Sequence, residues 1–198
     1  LYLFQFHYCN ILSLIGSIEI QDFGAELHSI KKDDVEYLWQ GDPDFWARQA
    51  PVLFPIVGKL KNGSYTYDNE TFKLGGHGFA RDQVFKLLES EADEAIFELR
   101  TSRETRAVYP FDFRLRITYK LIGNQLTVKW EVKNLDDQEM YFGIGAHPAF
   151  NVPLENGTFE DYRLTISPAK SRQYIPLNPA TGVLDLSQKH AVDQNDFT

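Results

Sequence analysis

The most regular feature of the chain is a strict alternation of apolar and polar positions. From Arg114 to Leu121, the residues Leu115, Ile117, Tyr119 and Leu121 share one face, and Arg114, Arg116, Thr118 and Lys120 share the other. From Leu126 to Val132, the residues Leu126, Val128, Trp130 and Val132 oppose Thr127, Lys129 and Glu131. Successive side chains of a strand point to opposite faces, so a period of two marks a strand with one face on a core and one in water. Gly123-Asn124, between the two runs, is a two-residue link of the kind that closes a tight hairpin. Tyr65 and Tyr67, then Phe72 and Leu74, predict a second hairpin around Asp68-Asn69-Glu70. Phe97 and Leu99 mark another strand, as do Tyr162, Leu164 and Ile166. Asp42-Pro43 can cap and start one short helical turn through Trp46, but no segment keeps a helical period for three turns. Short strands punctuated by turns, with almost no helix, predict an all-β antiparallel sandwich. There is no repeat, low-complexity tract or linker, so residues 1–198 read as one domain.

Charge narrows the range of partners. The chain has 28 acidic and 20 basic residues and a net charge of −8. Such a surface repels a phosphate backbone, which argues against nucleic acid and leaves a neutral small molecule or another protein as the partner. Cys9 is the only cysteine, so no disulfide framework or cysteine metal site is expected, in keeping with a reducing, cytoplasmic setting. The opening LYLFQFHYCNILSLIG is apolar, but it lacks Lys and Arg and is interrupted by Gln5, His7 and Asn10. It reads as one or two buried strands rather than a signal peptide or membrane span. The five histidines, His7, His28, His77, His147 and His190, show no ligand spacing, and no cofactor motif or nucleophile elbow is present.

Three segments stand apart from this scaffold. Arg48 to Lys59 (RQAPVLFPIVGK) sets two prolines in an apolar run, which excludes a central strand and predicts a buried rim or an edge flanked by cations. Arg48 and Lys59 are either solvated charges beside a core loop or ligand-binding groups. In Gly75 to Asp82 (GGHGFARD), glycines around His77 leave its imidazole open to a ligand, although an ordinary exposed loop has the same composition. Arg81 follows closely. In Gly143 to Pro153 (GIGAHPAFNVP), Pro148 biases His147 toward extended backbone at a strand end. His147 is then either a hydrogen-bonded core residue or a partly desolvated imidazole suited to general acid catalysis.

Taken in order, GAELHSIK (Gly24 to Lys31), EYLWQGDPDFWARQAPVLFPIVGKLKNGSY (Glu36 to Tyr65), HGFARD, YPFDFRL (Tyr109 to Leu115) and IGAHPAFNVP resemble the aldose 1-epimerase family, in particular its bacterial branch linked to lactose and galactose operons. The resemblance covers most of residues 18–167. It implies the galactose mutarotase-like supersandwich and an isomerase that interconverts the α and β anomers of an aldose or hexose phosphate. The substrate would be a monosaccharide, with no cofactor. A non-catalytic sugar-binding or sugar-sensing protein on the same fold is the alternative. The resemblance gives His147 as the acid on the ring oxygen and His77 as its helper. Arg48 would bind the sugar, with Lys59 and Arg81 as weaker companions. In that family the base is a late Glu, accompanied by a late sugar-binding Asp. Here Asp185, Asp193 and Asp196 lie in no matching context, so the expectation is a domain incomplete at its C-terminus and short of its base.

Overall fold

The computed structural model describes residues 7–13, 16–167, 173–191 and 196–197. Two four-stranded antiparallel sheets form the body of the fold. The first, in order β1-β2-β3-β4, comprises β1 (Tyr8–Ser13), β2 (Gly16–Gln21), β3 (Glu26–Lys32) and β4 (Val35–Glu36). The hydrophobic opening of the chain thus supplies one strand with Cys9 and Ile11 buried and Tyr8, Asn10 and Leu12 exposed. The part of that opening before His7 lies outside the described residues.

Downstream, β5 (Val52–Leu53) stands apart, and β6 (Ser64–Tyr67) and β7 (Glu70–Lys73) form the expected hairpin. Its turn is Asp68-Asn69 alone, both with positive φ, because Glu70 pairs with Tyr67. The second large sheet, in order β11-β10-β9-β8, contains β8 (Lys86–Ser90), β9 (Glu94–Arg100), β10 (Phe113–Ile122) and β11 (Gln125–Asn134). Ile122 pairs with Gln125 across Gly123-Asn124, as the alternation predicts.

The sheets face each other across one apolar core. Phe113, Leu115, Ile117, Tyr119 and Leu121 of β10 are buried and join Ile11, Ile18 and Ile20 from the opposite sheet. Tyr119 spans the layers, its hydroxyl donating to the Ala25 carbonyl at 2.7 Å. Such a partner is what makes a fully buried phenol tolerable. On the outer face, buried Glu98 accepts from Arg100 at 2.7 Å and Arg116 at 2.8 Å.

Helix is scarce, as expected. Asp42 starts a single turn, its carbonyl accepting from Phe45 and Trp46 and its carboxylate from Asp44. Sequence reasoning missed α1 (Arg103–Val108), a short helix closed by a reciprocal Ser102–Thr105 capping box. The strand expected across Tyr162, Leu164 and Ile166 shrinks to Leu164–Thr165, paired with Asp196–Phe197, while Tyr162 follows a single 3-10 turn. No helix among the described residues is long and apolar enough to cross a membrane.

Candidate functional site

The site lies on the irregular rim that the two prolines enforce. β5 pairs with β12 (Gly145–Ala146), with Ala146 opposite Val52, so His147 leaves the end of a short strand. Backbone hydrogen bonds fix the chain beyond it. The Ala149 amide donates to Gln49 at 2.9 Å, and its carbonyl accepts from Trp39 at 2.9 Å. On the other side, the Gly143 amide donates to the Pro55 carbonyl at 2.7 Å. His147 is itself solvent-exposed, with Trp46 tilted against it at a ring-centroid distance of 5.1 Å. The sequence placed Trp46 only as the end of a helical turn. Its proximity to His147 depends on pairing between residues a hundred positions apart.

His77 comes from the other side of the rim. Its backbone is left-handed, with φ 66°, an uncommon conformation outside glycine. The conformation is held locally, because the His77 amide donates to the Gly58 carbonyl at 2.8 Å and the Gly58 amide donates to His77 Nδ1 at 3.1 Å. An amide can only donate, so Nδ1 is unprotonated and the neutral ring carries its proton on Nε2. Desolvation lowers the His77 pKa, and Arg81, His147 and Lys59 lower it further. His77 is therefore a neutral donor near pH 7. Its ring centroid lies 5.9 Å from that of His147.

The predicted cations flank this pair but differ in their freedom. The Arg48 guanidinium donates to the Asp82 carboxylate and to the Arg81 carbonyl, and stands 3.8 Å from Glu26. Glu26 is buried and accepts from the Gln49 and Ala50 amides at 2.9 Å, fixing the segment that carries Arg48. Arg81 donates to the Gly76 carbonyl at 3.0 Å and lies 3.7 Å from Asp82. Lys59 is exposed, with Gly182 beside its side chain, and has no ion pair among the described residues. Arg48, Arg81 and His77 thus form one connected patch beside His147. Sequence reasoning missed Glu26, Gly58 and Asp82, which position rather than carry the candidate groups; the EL of GAELHSIK was the available signal for Glu26.

Burial also lowers the pKa of His28, against opposing pulls from Glu26 and Glu19. A histidine with a lowered folded pKa binds its proton more readily when unfolded. Its contribution to stability is therefore lost as pH falls from about 6.5 toward the folded value. The melting temperature should drop between pH 7.5 and 5.5, and less so in His28→Gln. An equally steep drop in that variant would remove His28 from the account.

Among the described residues, no group of three or more His, Cys, Asp or Glu is arranged to hold a metal ion. The architecture is the antiparallel β-sandwich of the galactose mutarotase-like proteins. The aldose 1-epimerase family description matches residues 15–196, and the chain belongs to that family. It is 39% identical over 181 residues to the plasmid and chromosomal LacX proteins of Lactococcus lactis subsp. lactis, across 87% of this chain and 60% of theirs. A galactose mutarotase related enzyme from Lactobacillus acidophilus superposes with TM-score 0.89 at 39% identity, over 96% of this chain and 64% of that one. A galactose mutarotase-like protein from Lactobacillus casei gives TM-score 0.81 at 36% identity, over 90% and 63%. The chain thus spans less than two thirds of the length of these relatives.

Proposed function

We propose that this chain carries the imidazole half of an aldose mutarotase site acting on an unphosphorylated hexose. The observation that carries the reading is the approach of two imidazoles from distant segments, within 5.9 Å, on a rim beside a tryptophan. His147 supplies a proton to the ring oxygen as the bond from that oxygen to the anomeric carbon breaks, while a base takes the anomeric hydroxyl proton. The open-chain aldehyde turns about its first carbon–carbon bond and recloses with the opposite configuration, the protons returning by the reverse path. Holding acid, base and ring in place at once is what makes such a step fast. His77, neutral and with Nε2–H free of Gly58, donates a hydrogen bond to the sugar and orients it.

The cations support a neutral substrate. A phosphate monoester calls for several converging charges, yet Arg48 is already matched by Asp82 and Glu26, and Arg81 lies against Asp82. Lys59 alone lacks an ion pair among the described residues. Free galactose or glucose should therefore be processed in preference to its 6-phosphate.

A second reading, sugar binding without turnover, draws on one specific observation: the permanently charged groups acting on His77, Arg81 and Lys59, are both cationic. The two carboxylates of the patch, Glu26 and Asp82, are engaged by Arg48. Polarimetry separates the readings. The initial anomer of galactose or glucose would be followed with this chain, and with a hybrid carrying the part of the Lactobacillus acidophilus relative that this chain does not span. The hybrid should return the sugar to equilibrium at least about 10²-fold faster than the 198-residue chain, a usual contribution for one proton-transfer group. A hybrid that binds galactose yet leaves the spontaneous rate unchanged would establish binding without catalysis.

A further inference from the structure

We infer that Trp46 is the platform on which the sugar lies and that it selects the galacto configuration, a role that rests on the mutarotase reading above. Trp46 is fixed on both sides of its Cα. Its amide donates to the Asp42 carbonyl and its own carbonyl accepts from Trp39 Nε1, each at 2.8 Å. The Trp39 amide in turn donates at 2.9 Å to the carbonyl of Ala149, just past His147. Trp39 thus ties Trp46 and the candidate acid to one frame, and an edge-to-face contact with Phe45 at 6.3 Å steadies it. The outcome is a partly buried indole whose ring centre lies 5.1 Å from that of His147, tilted at 52°. All of these contacts are made within the rim, and none depends on an open edge.

A pyranose ring is narrower than that separation, so a sugar with its ring oxygen at His147 can also cover the indole. The face of an aromatic ring is negative and attracts hydrogens made positive by neighbouring oxygens. In galactose the axial O4 stands on one face, and the hydrogens on C3, C4 and C5 gather toward the other. In glucose the C4 hydrogen turns to the opposite face and breaks up that patch. The patch does not include the anomeric carbon, so both anomers carry it. A mutarotase needs such a platform, because its substrate and product differ only at C1.

Tryptophan fluorescence and polarimetry on the hybrid described above test this role. Galactose should change the emission saturably in the unsubstituted hybrid and leave it unchanged in Trp46→Phe, whose other tryptophans remain. Trp46→Leu should raise KM for galactose about tenfold, the effect of losing one aromatic contact, and KM for glucose by less than about threefold. Trp46→Phe should recover most of the galactose affinity. Circular dichroism guards the fold of Trp46→Leu, and the Trp46→Phe measurements stand without it. A ring that merely props His147 would lower kcat for both sugars equally, and that result overturns the inference. So does a galactose response in the emission that persists in Trp46→Phe, or a KM for galactose that Trp46→Leu leaves unchanged. A hybrid that neither binds nor turns over galactose removes the mutarotase reading and this role with it, whereas failure of the role alone leaves turnover by the hybrid in place.

Discussion

Replacing His147 by Asn should lower the catalysed rate of galactose mutarotation by about 10²–10⁴-fold, the span usual for loss of a general acid. The substitution keeps a polar side chain on the exposed rim, and its fixed surroundings are backbone contacts made by Ala146, Ala149 and Gly143, which it does not touch. The melting temperature should therefore hold while turnover falls. His77→Asn should behave differently. On the proposed reading His77 binds the sugar as a neutral donor whose Nδ1 is already engaged by Gly58, so its loss should raise KM more than it lowers kcat. Both substitutions belong in the hybrid, where a measurable rate is expected. Wild-type turnover in His147→Asn would place the acid elsewhere, and equal effects at the two histidines would remove the division of labour between them.

The distinction between these imidazoles shows how far the sequence could be read. Strand β10, its partner β11 and their turn followed from alternation alone, because a one-residue slip would have put Leu115, Ile117 and Tyr119 into water. The prolines in residues 48–59 announced an irregular rim for the same kind of local reason, and Pro148 announced the extended chain at His147. What alternation could not supply was proximity. Trp46 lies against His147 only because Ala149 bonds to Gln49 and Trp39 from a hundred residues away. By its spacing alone Arg48 read as a solvated cation, and only the family resemblance made it a sugar-binding group. The fold engages it with Asp82 and Glu26, the second of which is buried two strands from the N-terminal edge. Local pattern encodes which face a side chain takes; tertiary pairing decides what that face meets.

The rim also depends on the close approach of Gly78 to the Phe54 backbone, and disturbing it should have the largest effect on stability. Gly78→Ala places a methyl carbon 2.2 Å from the Phe54 carbonyl oxygen and 2.5 Å from its carbon. Backbone atoms in the middle of the aromatic core cannot step aside as a flexible side chain can. Phe54 is fully buried against Phe79, Tyr109 and Phe113, with centroids at 6.1, 6.0 and 5.2 Å. Its carbonyl already accepts from the Phe79 and Ala80 amides at 3.0 and 3.1 Å, so the same oxygen that the methyl would strike holds the His77 loop down. Gly78 also has φ 72°, a conformation that costs an L-residue about 1–2 kcal/mol on its own. Overpacking adds about 1–3 kcal/mol. Together these predict a loss of about 2–5 kcal/mol, or roughly 10 °C in melting temperature for a chain of this length. Two neighbouring glycines calibrate the measurement. Gly58→Ala has the positive φ, 83°, but nothing within 4 Å of the new carbon, so it should show the conformational cost alone. Gly75→Ala meets nothing within 4 Å and has no positive φ, so it should be neutral or slightly stabilising. Thermal melts of the three variants should therefore rank Gly78 far below Gly58, and Gly58 below Gly75. If Gly78→Ala melts no lower than Gly58→Ala, the loop can lift from Phe54 at little cost, and the rim is not the rigid platform that holds His77 beside His147.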